Sequence, residues 1–374
     1  MSTNTEIKYW IGLSKVSGIG TARFSLLEQH FGNPEAAWKA PAGELAKAGL
    51  DSKTVAELLE QRAQVNLDEE LEKLERHRVK ALTWHDASYP ARLKEVYDRP
   101  PVLYVEGSFL PEDEWCLAVV GTRRATIYGR QVTEEIVSHL ARNRITIISG
   151  LARGIDSVAH RSTLEAGGRT MAVFACGLDI VYPAENRKLA SDIVEHGALI
   201  SEYPLGTKPM AQHFPRRNRI MSGISLGVLV IEAGERSGAL NTVSHALEQN
   251  REVFAIPGSI LSPASRGANT IIQQGAKLVT NGNDILEELN LTGVAQQLEM
   301  KTVLPENDVE ASLLKELTSE PLHVDEVCRR SGLHIAVVSS TLALMELKGM
   351  TRQVGGMNYV LAREAREDYR VKVE

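Results

Sequence analysis

The chain has few aromatic residues, few cysteines and no long hydrophobic run. Aromatic residues make up 5% of its 374 residues, too few for a binding surface built mainly on aromatic stacking. Cys116, Cys176 and Cys328 are an odd number without a pairing pattern, so we expect reduced, buried thiols rather than disulfides or a CxxC zinc site. No apolar run approaches the roughly 18 residues that cross a bilayer, and no signal-peptide pattern is present. We therefore expect a cytoplasmic protein that does not associate with membranes.

Several motifs of cofactor binding and catalysis are missing as well. The first predicted strand is followed by GTRRAT rather than by the GxGxxG of dinucleotide-binding proteins, and no GxxxxGK[ST] phosphate loop occurs. GxSxG and HExxH are also absent, which removes the usual signs of a serine hydrolase and of a zinc protease. We predict no cofactor, no metal site and no catalytic residue.

Taken as one number, the formal net charge of -6 argues against nucleic-acid binding, but the charge is unevenly distributed along the chain. Residues 111–285 hold 18 basic and 17 acidic side chains (+1), whereas residues 286–374 hold 10 and 15 (-5). Fifteen of those 18 cations are arginine, whose planar guanidinium binds phosphate through two parallel hydrogen bonds. The centre of the chain is therefore the place to expect an anion site.

Short apolar runs alternate with amphipathic helical stretches through this central part. The runs span residues 116–121, 145–150, 170–177, 226–233 and 252–258. They are apolar on both faces, as strands of a parallel sheet covered by helices should be. This alternation predicts an α/β fold, a Rossmann-like, doubly wound and mostly parallel sheet.

The flanking segments have a different character. The first part predicts short helices that resemble a helix-hairpin-helix or SAM-like module, and the last part predicts three helices and a hairpin, as in a winged helix. We divide the chain into a helical module (1–80), a connector (81–110), the Rossmann-like domain (111–289), a linker (290–306) and a winged helix (307–374). The turn at Val16–Gly20 has two interpretations, a backbone contact to DNA phosphate or a purely structural glycine turn.

Glycine and small polar residues follow most of the predicted strands. In an open α/β sheet, ligands bind beyond the carboxyl ends of the strands, where glycine lets a phosphate approach the backbone. Tight packing of strand on helix would explain any single loop, but three such loops together favour phosphate binding. The predicted contacts in these loops are Gly121, Thr122, Arg123, Arg124, Ser149, Gly150, Arg153, Gly154, Ser237, Gly238 and Thr242.

The densest basic segment is Phe214–Arg219. Arg187 and Lys188 could line a further side of the same binding site. Arginine, asparagine and an aromatic ring together can contact phosphate, base edge and base face of a single strand. The predicted contacts here are Phe214, Arg216, Arg217, Asn218 and Arg219. Alternatively, some of these arginines form structural ion pairs, and we expect at least one to pair with Glu202 or Glu232. Asp156 and these two glutamates are expected to hold arginine side chains rather than act as acid or base.

The candidate recognition helix of the winged helix is His334–Lys348. A helix that reads the major groove usually presents Arg, Lys, Asn or Gln to base edges. This helix presents Ser339, Ser340 and Thr341, and its one fixed cation, Lys348, lies near its end. We therefore expect it to dock onto a partner or onto the chain itself rather than to read duplex DNA.

The central domain resembles the DprA/Smf family of DNA-processing proteins. The resemblance rests on eight ordered segments over roughly 160 residues. They are VGTRRATIYG (120–129), SGLARGID (149–156), GGRTMAVFACGLDIVYP (167–183), GALISEYP (197–204), FPRRNRIMSGIS (214–225), VLVIEAGERSGALNT (228–242), REVFAIPG (251–258) and GANTIIQQGA (267–276).

This resemblance implies a homodimeric, non-enzymatic recombination mediator. Such a protein protects incoming single-stranded DNA and helps to load RecA onto it during natural transformation. The family's basic pocket carries over to Gly121 and Arg123, to Arg187 and Lys188 after the YP dipeptide, and to Arg216, Asn218 and Arg219. In this chain AENR follows YP, whereas the family more commonly has a lysine nearer the proline. Which cation occupies this part of the pocket is therefore left open.

Two alternative functions remain. The same type of sheet occurs in nucleotide-binding phosphoribohydrolases, but the stretch from Ala233 to Thr242 departs from their GGxGTxxE signature. A transcription factor that uses the winged helix is the other alternative, and the charge-poor recognition helix opposes it.

Overall fold

The computed structural model describes residues 4–291, 307–318, 321–347 and 350–361. Its contacts divide the chain into two compact units, residues 1–289 and 290–374. Nearly all of the predicted linker, residues 292–306, lies outside the described residues. In the described ranges, no helix is long and apolar enough to cross a membrane.

The first unit begins with helices and continues as an alternation of strands and helices. Its helices are α1 (Asn4–Ser14), α2 (Thr21–Phe31), α3 (Pro34–Lys39), α4 (Ala42–Lys47), α5 (Ser52–Gln64), α6 (Leu67–Arg76), α7 (Ala91–Lys94), α8 (Ile127–Arg142), α9 (Ile155–Glu165), α10 (Arg187–His196), α11 (His213–Ile224), α12 (Ala239–Glu248), α13 (Arg266–Gln273) and α14 (Gly282–Glu288). Its strands are β1 (Val79–Thr83), β2 (Val102–Gly107), β3 (Cys116–Val120), β4 (Thr146–Ser149), β5 (Thr170–Phe174), β6 (Gly197–Ser201), β7 (Gly227–Val230), β8 (Glu252–Ala255) and β9 (Lys277–Leu278).

These strands form one nine-stranded sheet in the order β1-β2-β6-β5-β4-β3-β7-β8-β9. The strands from β6 to β9 in this order are parallel, whereas β1 and β2 pair antiparallel at one edge. The chain builds outward from β3 to β6 and then returns to place β7 on the other side of β3. Strand order therefore reverses between β3 and β7, and a reversal of this kind leaves a crevice at the carboxyl ends of the two strands.

The predicted α/β sheet is confirmed, with all five predicted runs present as parallel strands. The short strand predicted at the end of the connector, residues 102–105, is present as β2, and three further strands of the sheet were not predicted. Strand β1 is only partly buried, so its sequence VKALT lacks a continuous apolar run, and the two residues of β9 are exposed. Strand β6 is buried throughout and is as long as the predicted strands β3 and β5, so its sequence GALIS carried the same kind of signal and was overlooked. The segment predicted as a connector contributes β2 and the end of β1 to the sheet.

The helical N-terminal part and the sheet share one hydrophobic core. Trp10 stacks on Phe24 with ring centroids 4.8 Å apart, and Trp84 meets both rings edge-on. The same buried cluster continues through the strands to Val230. Because apolar side chains of both parts are removed from water together, the N-terminal helices are held against the sheet by the hydrophobic effect.

The second unit is a winged helix with its own core. It contains α15 (Asp308–Glu316), β10 (Leu322–His323), α16 (Val324–Ser331), α17 (Ile335–Leu347), β11 (Thr351–Gln353) and β12 (Asn358–Leu361), with its strands in the order β10-β12-β11. Val338, Leu342 and Met345 of α17 are fully buried in this core. The predicted three helices and hairpin are thus confirmed.

Candidate nucleic-acid interface

A cleft of about 880 Å³ opens at the crevice between the ends of β3 and β7. The turn Gly121–Arg124 follows β3 and forms one side, and residues 234–242, the loop after β7 with the first turn of α12, form the other. Helix α11 supplies the floor, and Tyr182 completes the rim. The register that pairs Val120 with Val230 brings the two loops together, although 110 positions separate these residues in the chain.

Ten of the predicted site residues line this cleft. They are Gly121, Thr122, Arg123, Arg124, Phe214, Arg217, Asn218, Ser237, Gly238 and Thr242. Eight others do not line it, namely Ser149, Gly150, Arg153, Gly154, Arg187, Lys188, Arg216 and Arg219. Sequence reasoning missed Arg236, Asn241 and Tyr182, which also line the cleft. Arg236 lies in the loop after β7 and Asn241 in the first turn of α12, within the same segment that supplied three predicted contacts, so the signal for them was present.

The rim carries three exposed arginines, Arg123, Arg124 and Arg236. Across the residues that the structure describes, none of the three forms an ion pair. Their guanidinium groups keep the full capacity to pair with phosphate oxygens in bidentate geometry. The rim therefore presents positive charge that the protein itself does not neutralise.

Phe214 turns part of this rim into a stacking surface. The Arg123 guanidinium lies 5.1 Å from the centre of the Phe214 ring, within the range of a cation–π contact. The centre of the Tyr182 ring lies 5.6 Å from that of Phe214 with the two rings tilted by 58°, and 49% of Tyr182 is exposed. Two aromatic rings and a planar cation in contact offer flat faces to which any base can stack.

Arg217 lies in the floor of the cleft with 4% of its surface exposed. Its Nη1 donates to the carbonyl oxygens of Gly150, at 2.8 Å, and Val173, and its Nε donates to Asn218 Oδ1 at 3.2 Å. Burial lowers the pKa of Arg217 to about 10, so the side chain still carries its charge at neutral pH. Arg217 thus contributes charge to the floor while its hydrogen bonds are used within the fold.

Arg219 requires a correction to the predicted site. Its side chain is 4% exposed and pairs with Glu202 at 2.5 Å and Asp98 at 3.0 Å. Arg216 keeps 56% of its side chain exposed, with its Nε 3.5 Å from the same Glu202. The prediction that at least one of these arginines pairs with Glu202 is confirmed. A helix turns by about 100° per residue, so three arginines within four positions cannot all face one ligand.

The three acidic residues have different roles. Asp156 accepts backbone N–H bonds from Gly150 at 3.1 Å and Ala152 at 3.3 Å, and burial raises the pKa of its carboxyl. Glu202 holds Arg219, as predicted. For Glu232 the prediction was wrong, since its two oxygens accept from the hydroxyl and N–H of Thr126, at 2.6 and 3.0 Å. Glu232 therefore fixes the start of α8 rather than an arginine.

In the loop between β4 and α9, close packing requires glycine at positions 150 and 154. A Cβ on Gly150 would stand 2.2 Å from Arg217 Nη2, and a Cβ on Gly154 would stand 2.3 Å from the carbonyl oxygen of Thr122. Gly154 also has a φ of 76°, a backbone conformation that favours glycine. Ser149 is fully buried and donates to the Val119 carbonyl at 2.7 Å. For Ser149, Gly150 and Gly154, tight packing of strand on helix, rather than phosphate contact, explains the residue types.

The remaining predicted cations lie on the surface and do not line the cleft. Arg153 forms two hydrogen bonds to Glu185, at 2.9 and 2.8 Å, which also lower the pKa of that carboxyl. Arg187 and Lys188 are exposed at the start of α10 and have no ion-pair partner in the described ranges. Near Arg216 lies the N-terminal glycine turn, since a Cβ on Gly20 would stand 4.0 Å from Arg216 Nη2.

In the second unit, the candidate recognition helix α17 exposes an apolar surface. Val337, Ser340 and Leu344 lie on its exposed face, whereas Ser339 and Thr341 are half-buried. Lys348, the cation predicted near the end of this helix, lies outside the described residues. The described part of α17 therefore presents no basic side chain to a nucleic acid.

Comparison with known proteins identifies the family. A family model described as DNA recombination-mediator protein A matches residues 80–290, and one described as the DprA winged helix domain matches residues 301–357. This chain belongs to the DNA recombination-mediator protein A family. The resemblance drawn from the eight sequence segments is thereby confirmed, and the family's matched region contains every residue of the cleft.

Similar proteins cover most of the chain. Protein Smf of Synechocystis sp. is 35% identical over 95% of this chain and 99% of its own length. A putative DNA processing protein DprA of Mycobacterium tuberculosis is 34% identical over 91% of both chains.

Two solved structures of the family share the fold. DNA processing protein A of Streptococcus pneumoniae is 38% identical, with a TM-score of 0.65 over 75% of this chain and 97% of its own. The Helicobacter pylori protein, which binds single-stranded DNA, is 28% identical, with a TM-score of 0.52 over 57% of this chain and 96% of its own.

Proposed function

We propose that this protein binds single-stranded DNA in the cleft and acts there as a non-enzymatic recombination mediator. The observation that carries the proposal is the rim, where unpaired Arg123, Arg124 and Arg236 lie beside the aromatic rings of Phe214 and Tyr182, with the Arg123 guanidinium over the Phe214 ring. Unpaired guanidinium groups attract the nucleic-acid backbone, and an aromatic ring face accepts any base without regard to sequence. Family membership and the single-stranded DNA binding of the H. pylori protein support the same assignment.

A double substitution of the two rim arginines after β3 tests the proposal. Arg123→Ala with Arg124→Ala should lower the affinity for a single-stranded oligonucleotide at least about 10-fold at fixed salt, because two phosphate contacts are lost. The slope of log affinity against log salt should become shallower by about 1.4, since each lost contact to single strands contributes about 0.7. Fluorescence anisotropy at several salt concentrations measures both quantities.

The matched control is Arg142→Ala with Arg161→Ala. Both arginines are exposed, and neither lines the cleft or forms an ion pair within the described ranges. This variant should bind like the wild type. Equal affinity of the wild type and the Arg123/Arg124 variant would overturn the assignment of the cleft.

The finer part of the proposal concerns partners. We infer that the protein assembles as a homodimer, protects incoming strands and helps to load RecA onto them during natural transformation, in the cytoplasm. Membership of a family described as recombination mediators supports this role. Filament assembly by RecA on single strands coated with this protein tests it, and assembly no faster than on bare strands would contradict it. Light scattering measures the oligomeric state.

The phosphoribohydrolase alternative has a direct test as well. Glu232 would be the catalytic carboxylate of such an enzyme, but both its oxygens are bound to Thr126 and it is 2% exposed. We therefore expect no base release from nucleoside monophosphates. Measurable turnover that disappears in Glu232→Gln would show an enzyme instead.

A further inference from the structure

We propose that Glu185 withholds Arg153 from the DNA and so limits how tightly the protein holds a single strand. The inference rests on the proposed function, because it concerns a strand that is bound in the cleft. It goes beyond that function in assigning a role to an acidic residue, which opposes binding instead of supporting it. Replacing this one carboxylate should therefore strengthen binding.

The first observation is the geometry of the ion pair. Arg153 Nε donates to Glu185 Oε1 at 2.9 Å, and Arg153 Nη2 donates to Glu185 Oε2 at 2.8 Å. Two parallel bonds to two oxygens are also the arrangement in which a guanidinium group binds phosphate. The carboxylate thus occupies the same donors that a phosphate would need.

The second observation is the position of the pair beside the cleft. Arg153 precedes Gly154, where a Cβ would stand 2.3 Å from the carbonyl oxygen of Thr122 in the turn after β3. Glu185 comes three positions after Tyr182, and both Thr122 and Tyr182 line the cleft. A strand that leaves the cleft on the side of Tyr182 therefore passes this ion pair.

Buried Asn186 joins the two segments that carry the pair. Its Nδ2 donates to the Leu151 carbonyl at 2.9 Å and to Ser157 Oγ at 3.0 Å. These bonds hold the segment of Glu185 against the loop of Arg153 without help from the ion pair. Neutralising the carboxylate should therefore free the guanidinium and leave both segments in place.

The pair is exposed to water. In it, 64% of the Arg153 side chain and 55% of the Glu185 side chain are accessible. An ion pair of this kind contributes little to folding stability, because water and salt screen it. Nearby Arg187 and Lys188 are exposed and have no ion-pair partner in the described ranges. Glu185 therefore neutralises one cation on a surface whose neighbouring cations remain available to phosphate.

The test measures single-strand affinity of the full chain by fluorescence anisotropy. Glu185→Gln keeps the size of the side chain and removes its charge, so that Arg153 becomes available to a phosphate. Affinity for a single-stranded oligonucleotide should rise about 3- to 10-fold at fixed salt, because one charge-assisted contact is gained. The slope of log affinity against log salt should become steeper by about 0.7, the contribution of one contact to a single strand.

A double variant shows whether the gain depends on the guanidinium. Glu185→Gln combined with Arg153→Ala should lose the gain in affinity and the steeper salt slope, because the freed cation is absent. A gain that persists in the double variant overturns the inference, since it would come from the Glu185 charge acting directly on the strand.

The matched control is Glu165→Gln, which removes the same charge from an exposed residue at the end of α9. Glu165 does not line the cleft and forms no ion pair in the part of the chain that the structure describes. It should bind like the wild type. An equal gain in Glu165→Gln would assign the effect to net charge and overturn the inference. Melting temperatures of Glu185→Gln and of the control should stay close to that of the wild type.

The outcomes separate this inference from the proposed function. A wild type that does not bind the oligonucleotide overturns the proposed function. A wild type that binds it, while Glu185→Gln shows the same affinity and the same salt slope, overturns the role of Glu185 and leaves the assignment of the rim standing.

Discussion

Arg123 and Arg219 belong to the same predicted site, but the fold gives them opposite environments. Arg123 stands exposed on a loop and contacts only the Phe214 ring, whereas Arg219 is buried on α11 between Glu202 and Asp98. The first is available to a ligand, and the second holds the framework together. The density of positive charge in a sequence therefore does not measure the density of positive charge on a surface.

The largest expected effect is on the buried side of this comparison. Arg219→Met leaves the Glu202 carboxylate buried without its closest partner, which should lower the free energy of unfolding by about 3–5 kcal/mol. Arg216→Ala on the same helix should change it by less than about 0.5 kcal/mol, because that side chain is mostly exposed. Urea unfolding monitored by circular dichroism measures both variants. If the two variants were equally stable, the contrast between a buried, structural Arg219 and an exposed Arg216 would be wrong.

Burial also controls a titratable group that lies near Arg217. The Thr170 hydroxyl donates to the Ile147 carbonyl and so accepts from His160 Nδ1 at 2.7 Å, which leaves Nε2 unprotonated and without a partner. Burial, and next the charges of Arg217 and Arg161, lower the pKa of His160 from 6.5 to about 3. The neutral ring therefore contributes stability in full above pH 6.5, and this is lost as the pH falls towards 3.

At pH 5 the protein should be about 2 kcal/mol less stable than at pH 7 because of this single histidine, since each pH unit between the two pKa values costs about 1.4 kcal/mol. Unfolding in urea at the two pH values measures the difference. Much of it should disappear in His160→Gln, whose side chain does not titrate. An unchanged pH dependence in that variant would assign the loss to other groups.

On the exposed side, Phe214→Leu separates stacking from charge. The substitution keeps an apolar side chain but removes the ring, so single-strand affinity should fall about 10-fold, within the range of one base stack. The salt dependence should stay as in the wild type, because no phosphate contact is lost. Phe109→Leu, which is outside the cleft, is the control in the same anisotropy assay. A shallower salt slope in Phe214→Leu would mean that the ring acts chiefly by positioning Arg123.

The smallest effect is expected in the winged helix. Ser340→Glu with Leu344→Glu places two negative charges on the exposed face of α17 and should leave single-strand affinity unchanged. The reason is that the described part of this helix offers no cation for phosphate to contact. Titration with the same oligonucleotide measures the affinity. A loss of binding would extend the interface to the second unit.

Much of the fold followed from local patterns in the sequence. The five apolar runs became parallel strands, because strands buried on both faces are apolar throughout. Of the three strands that sequence reasoning missed, β1 and β9 lie at the two edges of the sheet, where partial exposure weakens the apolar signal, whereas β6 is a buried strand of the same length as β3 and β5. The glycine loops at the strand ends also predicted seven of the 22 residues that line the cleft, including Gly121 and Gly238.

Which arginine reaches the surface could not be predicted in the same way. Arg216, Arg217 and Arg219 are neighbours in the chain, and only the orientation of α11 against the sheet decides that the first is exposed and the other two buried. Likewise, Tyr182 joins the site because the rings of Tyr182 and Phe214 meet in space. Both outcomes depend on packing between elements that are distant in sequence.

The sequence by itself determined the family, the order of strands and helices along the chain, and the arginine-rich character of the central domain, because these depend on residue identity and local periodicity. The tertiary structure alone decided which strands are neighbours, and hence that the loops after β3 and β7 face each other across one cleft. It also decided which charges are neutralised inside the fold and which remain for a ligand. Strand order and burial arise from long-range packing, in which each side chain's surroundings come from distant parts of the chain.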